Sequence, residues 1–133
     1  PGGADYAEYF YSDDTTLGPG ELVSVAGENK VKRAGPGEVV IGAVSTKPGM
    51  VGIFADDTTD AAEAYKDDPH YVIVGLLGQL PLKVSVANGA IQPGDELTVG
   101  VGGVAVKGTS PKTLTIIALE AATNDSKIRV LIK

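Results

Sequence analysis

Short apolar segments rich in β-branched residues recur along the whole chain: ELVSV, EVVIGAV, YVIVGLLG, LPLKVSV, ELTVG, VAVK, TLTIIALE and KIRVLIK. Gly- and Pro-containing turn signals separate them, among them GPGE twice, KPG, NG and QPGD. Strands of about five to eight residues with frequent turns predict an all-β sandwich, clip or barrel. In PLKVSVANGAI, Leu82, Val84 and Val86 alternate with Lys83 and Ser85, the mark of a half-buried strand. Asn88-Gly89 after it supplies the positive φ angles of a tight turn. The continuous run YVIVGLLG predicts a strand buried on both faces.

One stretch, TTDAAEAYKDD, reads as helix, with Thr59 or Asp60 as its cap and Glu63 near the first turn. It lies in an acidic surface loop, 54–70, that carries Asp56, Asp57, Asp60, Asp67 and Asp68. The loop lacks the fixed spacing and central Gly of an EF-hand, so it predicts a solvated surface and no metal site. His70, between DDP and a strand, reads as a loop residue that packs its ring.

The turns also reveal an internal repeat. GPGELVSV from Gly18 aligns with QPGDELTV from Gln92, an offset of 74 (Pro19 to Pro93). VKRAGPGEVVIGAVS from Val31 aligns with VKGTSPKTLTIIALE from Val106, an offset of 75 (Val31 to Val106). Each copy reads strand, short strand ending in Val-Lys, Pro turn, long strand, which predicts two β units about an approximate two-fold axis. In the Pro-Gly-acid turns Pro presets φ, Gly takes the positive φ, and Glu21 or Asp95 exits into solvent.

The 133 residues suffice for one domain with a core, 1–133, led by a segment 1–12. The net charge of −6 and the scattered basic residues argue against a nucleic-acid partner. No apolar run approaches the roughly 20 residues of a membrane span, and no charged-then-apolar leader opens the sequence. Without cysteine, and with one histidine, thiol nucleophiles, Cys-based zinc sites and His clusters are excluded. Chemistry falls to carboxylates, hydroxyls, Lys and Tyr, with no cofactor.

The leader, PGGADYAEYF, sets Asp5 and Glu8 among aromatic rings. Peptide hydrolysis by carboxylates needs one ionised and one protonated group, and two acids held together acquire separated pKa values. Three residues apart, Asp5 and Glu8 fall on opposite faces of a flat strand but on one side of a helical turn. A joint role therefore requires the segment to turn, or the second acid to come from another subunit. Without chemistry, the same residues suit an edge strand whose acids keep it soluble. Tyr6, Tyr9, Phe10 and Tyr11 are then the candidate subunit contact, since tyrosine is favoured where subunits meet.

GADYAEYF at Gly3 to Phe10, a Pro-Gly-acid strand, VVIGAVSTKPG and VGLLGQLPLKVS together resemble a phage domain. It is the intramolecular-chaperone, auto-processing domain of the G2 glutamic-peptidase type, found at the end of bacteriophage neck-appendage and tail-fibre proteins. The resemblance runs from Gly3 to about Ile132, and ADYAEYF is its most specific element. It implies a mostly β homotrimer that helps an upstream fibre part of the same polypeptide to fold, in the virion or the host cytoplasm during assembly. It also implies self-cleavage at Ala4–Asp5, with Asp5 and Glu8 as the catalytic pair. The Asp5 side chain reaches the Ala4 carbonyl carbon through a six-membered ring, so it can act as nucleophile or deliver water. Glu8 is then general acid or base. Ala4 lacks the hydroxyl that would allow an acyl-shift route. Two other readings stay open: a non-catalytic trimerisation or capping module, and a carbohydrate-binding β-domain, which the absence of Trp disfavours.

Overall fold

The computed structural model describes residues 5–45, 50–52, 65–110 and 114–133. Its strands are β1 (Asp5–Tyr11), β2 (Leu22–Gly27), β3 (Lys30–Arg33), β4 (Val40–Val44), β5 (Met50–Gly52), β6 (Tyr71–Val84), β7 (Glu96–Val99), β8 (Ala105–Lys107), β9 (Ile116–Ala118) and β10 (Ser126–Ile132). All join one ten-stranded sheet. The all-β expectation is met.

The strand pairings close two rings. In the first, the N-terminal half of β6 pairs with β4, β4 with β2, β2 with β3, β3 with β1, and β1 returns to β6. In the second, the C-terminal half of β6 pairs with β10, β10 with β9, β9 with β7, β7 with β8, and β8 returns to β6. Each ring shuts through one parallel contact, Tyr11 opposite Lys30 and Val84 opposite Ala105. β1 thus occupies in the first ring the place that the C-terminal half of β6 takes in the second. Closure leaves few free strand edges, the usual hazard of a sheet protein.

The repeat is visible bond by bond. Gly20 N–H donates to Val44 O and Val44 N–H to Glu21 O; Gly94 N–H donates to Ala118 O and Ala118 N–H to Asp95 O. Ala34 N–H to Leu22 O matches Gly108 N–H to Glu96 O, and Ser45 N–H to Ile73 O matches Leu119 N–H to Arg129 O. Across these pairs the repeat elements keep the offset of 74. The 75 read from the second block is therefore corrected by one: backbone pairing, which fixes the strands, places Val44 with Ala118 and not with Leu119.

Three turns share one device. Gly20, Gly37 and Gly94 take φ of 86°, 81° and 92° after Pro19, Pro36 and Pro93. Glu21, Glu38 and Asp95 donate their N–H to the carbonyl three residues back, while their carboxylates accept the N–H of Gly18, Gly35 and Gln92. The acid ties the turn from both ends, a role that solubility alone does not require.

Several expectations change. YVIVGLLG and LPLKV form one strand, β6, running through Gly78 and Pro81. It is not buried on both faces, for Leu77 is 53% exposed; the run is continuous because β6 serves two rings in turn. The alternation of Leu82 and Val84 against Lys83 holds as read. At Asn88-Gly89 only Gly89 has positive φ, and its N–H closes the turn onto Val86 O. The tight hairpin with a left-handed residue instead joins β2 to β3 at Asn29, φ 58°. Residues 53–64 lie outside the described residues, and with them most of the acidic loop and of the TTDAAEAYKDD helix. Among the described residues no helix is long and apolar enough to cross a membrane.

The larger core joins both rings, with Leu22 and Ala43 packed among Leu82, Ile91, Leu97 and Ile132. Full burial of each such side chain contributes about 1.5–3 kcal/mol. A smaller cluster, Val23, Val31, Val44 and Val74, fills the first ring and takes in Phe10 from the leader.

Candidate functional site

The leader is not a linker. β1 is paired to β6 over its whole length, from Asp5 opposite Gly78 to Tyr11 opposite Tyr71. On its other side it meets β5 at Tyr6–Glu8 and β3 at Tyr11. It is therefore not the edge strand that the non-catalytic reading expected. The one irregularity, between Tyr6 and Ala7, skips Leu76 on β6 and leaves β1 itself regular.

That regularity decides what one chain can do. β1 is extended from Asp5 through Glu8 without a turn, and three residues of strand rise about 10 Å. The first route to a joint role, a turn between the two acids, is absent. Along the backbone of one chain Asp5 and Glu8 are therefore separated by three residues of extended strand.

Alternation along β1 puts Tyr6, Glu8 and Phe10 at positions of one parity. The Tyr6 hydroxyl donates to Glu8 Oε2 at 2.5 Å. That hydrogen bond, with burial and the Glu8 charge adding to it, raises the Tyr6 phenol above its ordinary value, so it stays a donor. Phe10 continues into the small core, and Ala7, on the other parity, is fully buried.

The other rings of the leader find partners within the chain. Tyr9 meets Tyr65 edge-on at 5.5 Å between centroids, Tyr65 stacks on Tyr71 at 4.0 Å, and Tyr11 meets Tyr71 edge-on at 5.4 Å. His70 stacks on Tyr11 at 5.3 Å, and its Nδ1 lies 3.4 Å from Asp68. The ring-packing reading of His70 is met. Tyr9, Tyr11 and Phe10 therefore already hold β1 in place, whatever further surface they offer to a neighbour.

One charged cluster escaped the sequence reading. Glu21 does not exit into solvent: its side chain is 12% exposed, and its carboxylate meets Arg33 at 3.0 Å and Lys83 at 2.9 Å. Arg33 also reaches Asp14 at 3.1 Å and the Thr16 carbonyl at 3.0 Å. Burial pushes the Glu21 carboxyl up, but the Gly18 N–H, Lys83 and Arg33 together bring it below the usual range. Among the described residues the cation opposed to the aligned Asp95 is Lys107, at 3.5 Å. Aligned turns look alike in sequence; Lys83 belongs to a distant strand and gives no local signal.

DYAEYFY thus lies on a paired inner strand. Residues 2–61 match the Peptidase_G2 family, described as an IMC autoproteolytic cleavage domain. The match contains the leader, Glu8 and the whole β2–β4 unit of the first ring. No curated protein matches the sequence. Solved structures that share the fold include two of one phage protein. The pre-mature form of bacteriophage phi29 gene product 12 is 20% identical, with a TM-score of 0.69 over 99% of this chain and 21% of its own. The C-terminal fragment of the same phi29 protein is 21% identical, with a TM-score of 0.66 over 96% of this chain and 98% of its own. The chain thus spans about a fifth of the longer relative and nearly all of the fragment.

Proposed function

We propose that this domain is an auto-processing assembly module of a phage or prophage fibre or appendage protein. In this reading it promotes formation of a homotrimeric fibre and cuts its own chain at Ala4–Asp5. The observation that carries the reading is the match of residues 2–61 to a family model described by its autoproteolytic cleavage. The resemblance of the fold to a pre-mature phage protein and to its C-terminal fragment supports it.

The reaction is a single turnover on the domain's own backbone, without cofactor or external substrate. Asp5 flanks the bond and acts as nucleophile or delivers water; Glu8 moves the proton. Because β1 is straight, the working pair is Asp5 of one copy with Glu8 of another, so cleavage waits on assembly. A chaperone that releases itself only from a completed trimer would need that dependence.

A second reading, a trimerisation or capping module without chemistry, has one observation in its favour: within a chain β1 runs extended from Asp5 through Glu8, with no turn between them. Both readings are tested on the full-length protein. Mass spectrometry of the assembled trimer is expected to show a fragment beginning at Asp5, and Asp5→Asn or Glu8→Gln to abolish it while the domain stays folded. Intact full-length chain in a formed trimer would leave the structural module alone standing. A monomer at all concentrations in light scattering would remove both.

A further inference from the structure

β9, β10 and the C-terminal half of β6 lie side by side, and their inner side chains, among them Leu80, Ile116, Val130 and Ile132, belong to the larger core. Alternation sends the residues between these to the outer face. There Leu131 stands opposite Ile117, and Arg129 opposite Pro81. Leu119, whose N–H donates to Arg129 O, prolongs the row of Ile117, and Leu77 lies on β6 next to Gly78, the partner of Ile132. Leu77 and Leu119 are 53% and 37% exposed. Apolar side chains gathered on one outer face mark an interaction surface, as scattered ones do not. Lys127 and Arg129 share that face, and among the described residues neither side chain has a carboxylate partner.

We infer that this face is where a second copy of the chain docks, with Leu77 and Leu131 near the axis of the trimer. The inference rests on the reading of the domain as a homotrimeric assembly module and supplies the surface that reading lacks. In that reading the fibre joins the domain through β1, and three chains that enter one fibre bring their entry points together. Asp5 pairs with Gly78, and Gly78 pairs on its other side with Ile132. The entry point therefore borders Leu77 and Leu131, at one end of the apolar face. Charge points the same way. The chain carries a net −6, so a second copy brings carboxylates in excess to the open Lys127 and Arg129. Tyr9, Phe10 and Tyr11 of the leader, by contrast, already pack against their own chain.

The experiment is light scattering of the full-length protein over a range of concentrations, for the wild type, Leu77→Asp, Leu119→Asp and Val25→Asp. Val25 is 58% exposed on β2, in the other ring, and serves as the control. Leu77→Asp and Leu119→Asp are expected to weaken the trimer about thirtyfold or more, the scale of one central interface side chain. Val25→Asp is expected to leave it unchanged. Trimers as firm as wild type in both, or weakened equally by Val25→Asp, would overturn the docking face and leave the trimer reading intact. A wild type that stays monomeric would overturn both. Should the aspartate variants fail to fold, thiol labelling of Leu77→Cys and Val25→Cys, read by peptide mass, decides. Leu77→Cys is expected to be shielded in the trimer and Val25→Cys open. Equal labelling of the two would overturn the proposal. So would shielding of Leu77→Cys that persists in dissociated chains, which would make the upstream segment the occupant.

Discussion

Lys83 is fastened to the Glu21 turn twice. Its Nζ lies 2.9 Å from Glu21 Oε2, and its backbone N–H donates to Gly20 O at 2.9 Å. Glu21 opens the first ring and Lys83 stands in the half of β6 that belongs to the second. The pair, with Arg33 on the other carboxylate oxygen, is a polar joint between two units that also share β6 and the larger core.

Removing the acid from that joint takes the acceptor from Lys83 and the Gly18 N–H and leaves Arg33 with Asp14 and the Thr16 carbonyl. Glu21→Ala is expected to lower stability by about 3 kcal/mol, the scale for breaking a buried pair from one side. Lys83→Ala is expected to cost about 1 kcal/mol or less, because the lysine is more exposed and Arg33 still holds the acid. Urea unfolding of the two variants measures the difference.

Acid should loosen the fold in a definite direction. Glu21 titrates below its unfolded value of 4.5, and Asp14, held chiefly by Thr16, and Glu38, held chiefly by Lys32, are lowered as well. A depressed carboxylate contributes stability that is complete above the unfolded pKa and disappears as pH falls through the folded one. Tm is thus expected to be level above about pH 5 and to fall below about pH 4.5. Glu21→Gln is expected to start lower and to fall less, as thermal melts at pH 3 to 7 would show.

β4 and β6 approach so closely that one side chain is forbidden. A Cβ at Gly42 would sit 2.3 Å from Gly75 O and 2.7 Å from Val74 Cγ1. Gly42→Ala is expected to cost about 3 kcal/mol or more, since backbone must move to admit the methyl. Gly27→Ala, whose Cβ would meet nothing nearer than 3.9 Å, is the control and is expected to change stability by about 0.5 kcal/mol or less. Denaturant midpoints compare them.

The tied turns give a smaller effect. Asp95→Ala leaves the Gln92 N–H without its carboxylate and is expected to cost about 1 kcal/mol. Asp95→Asn, which keeps an acceptor oxygen, should recover most of it, again by urea unfolding.

The sequence by itself determined the local grammar. Pro-Gly-acid triplets dictate their turns because Pro and Gly restrict or release φ within the triplet. The alternation Leu82, Lys83, Val84 dictates a half-buried strand because strand side chains alternate. The repeat was legible for the same reason: each copy spells the same local choices, and ADYAEYF marked the leader as the segment to watch. Only the tertiary structure decided where these pieces meet. Glu21 and Asp95 read alike, yet Lys83, 62 positions from Glu21, buries one of them. Asp5 and Glu8 read as a pair, yet β1, paired along its length with β6, is extended between them. Turns and alternation are set by neighbours in the chain, whereas burial, ion pairing and the meeting of acids depend on strands that only folding brings side by side.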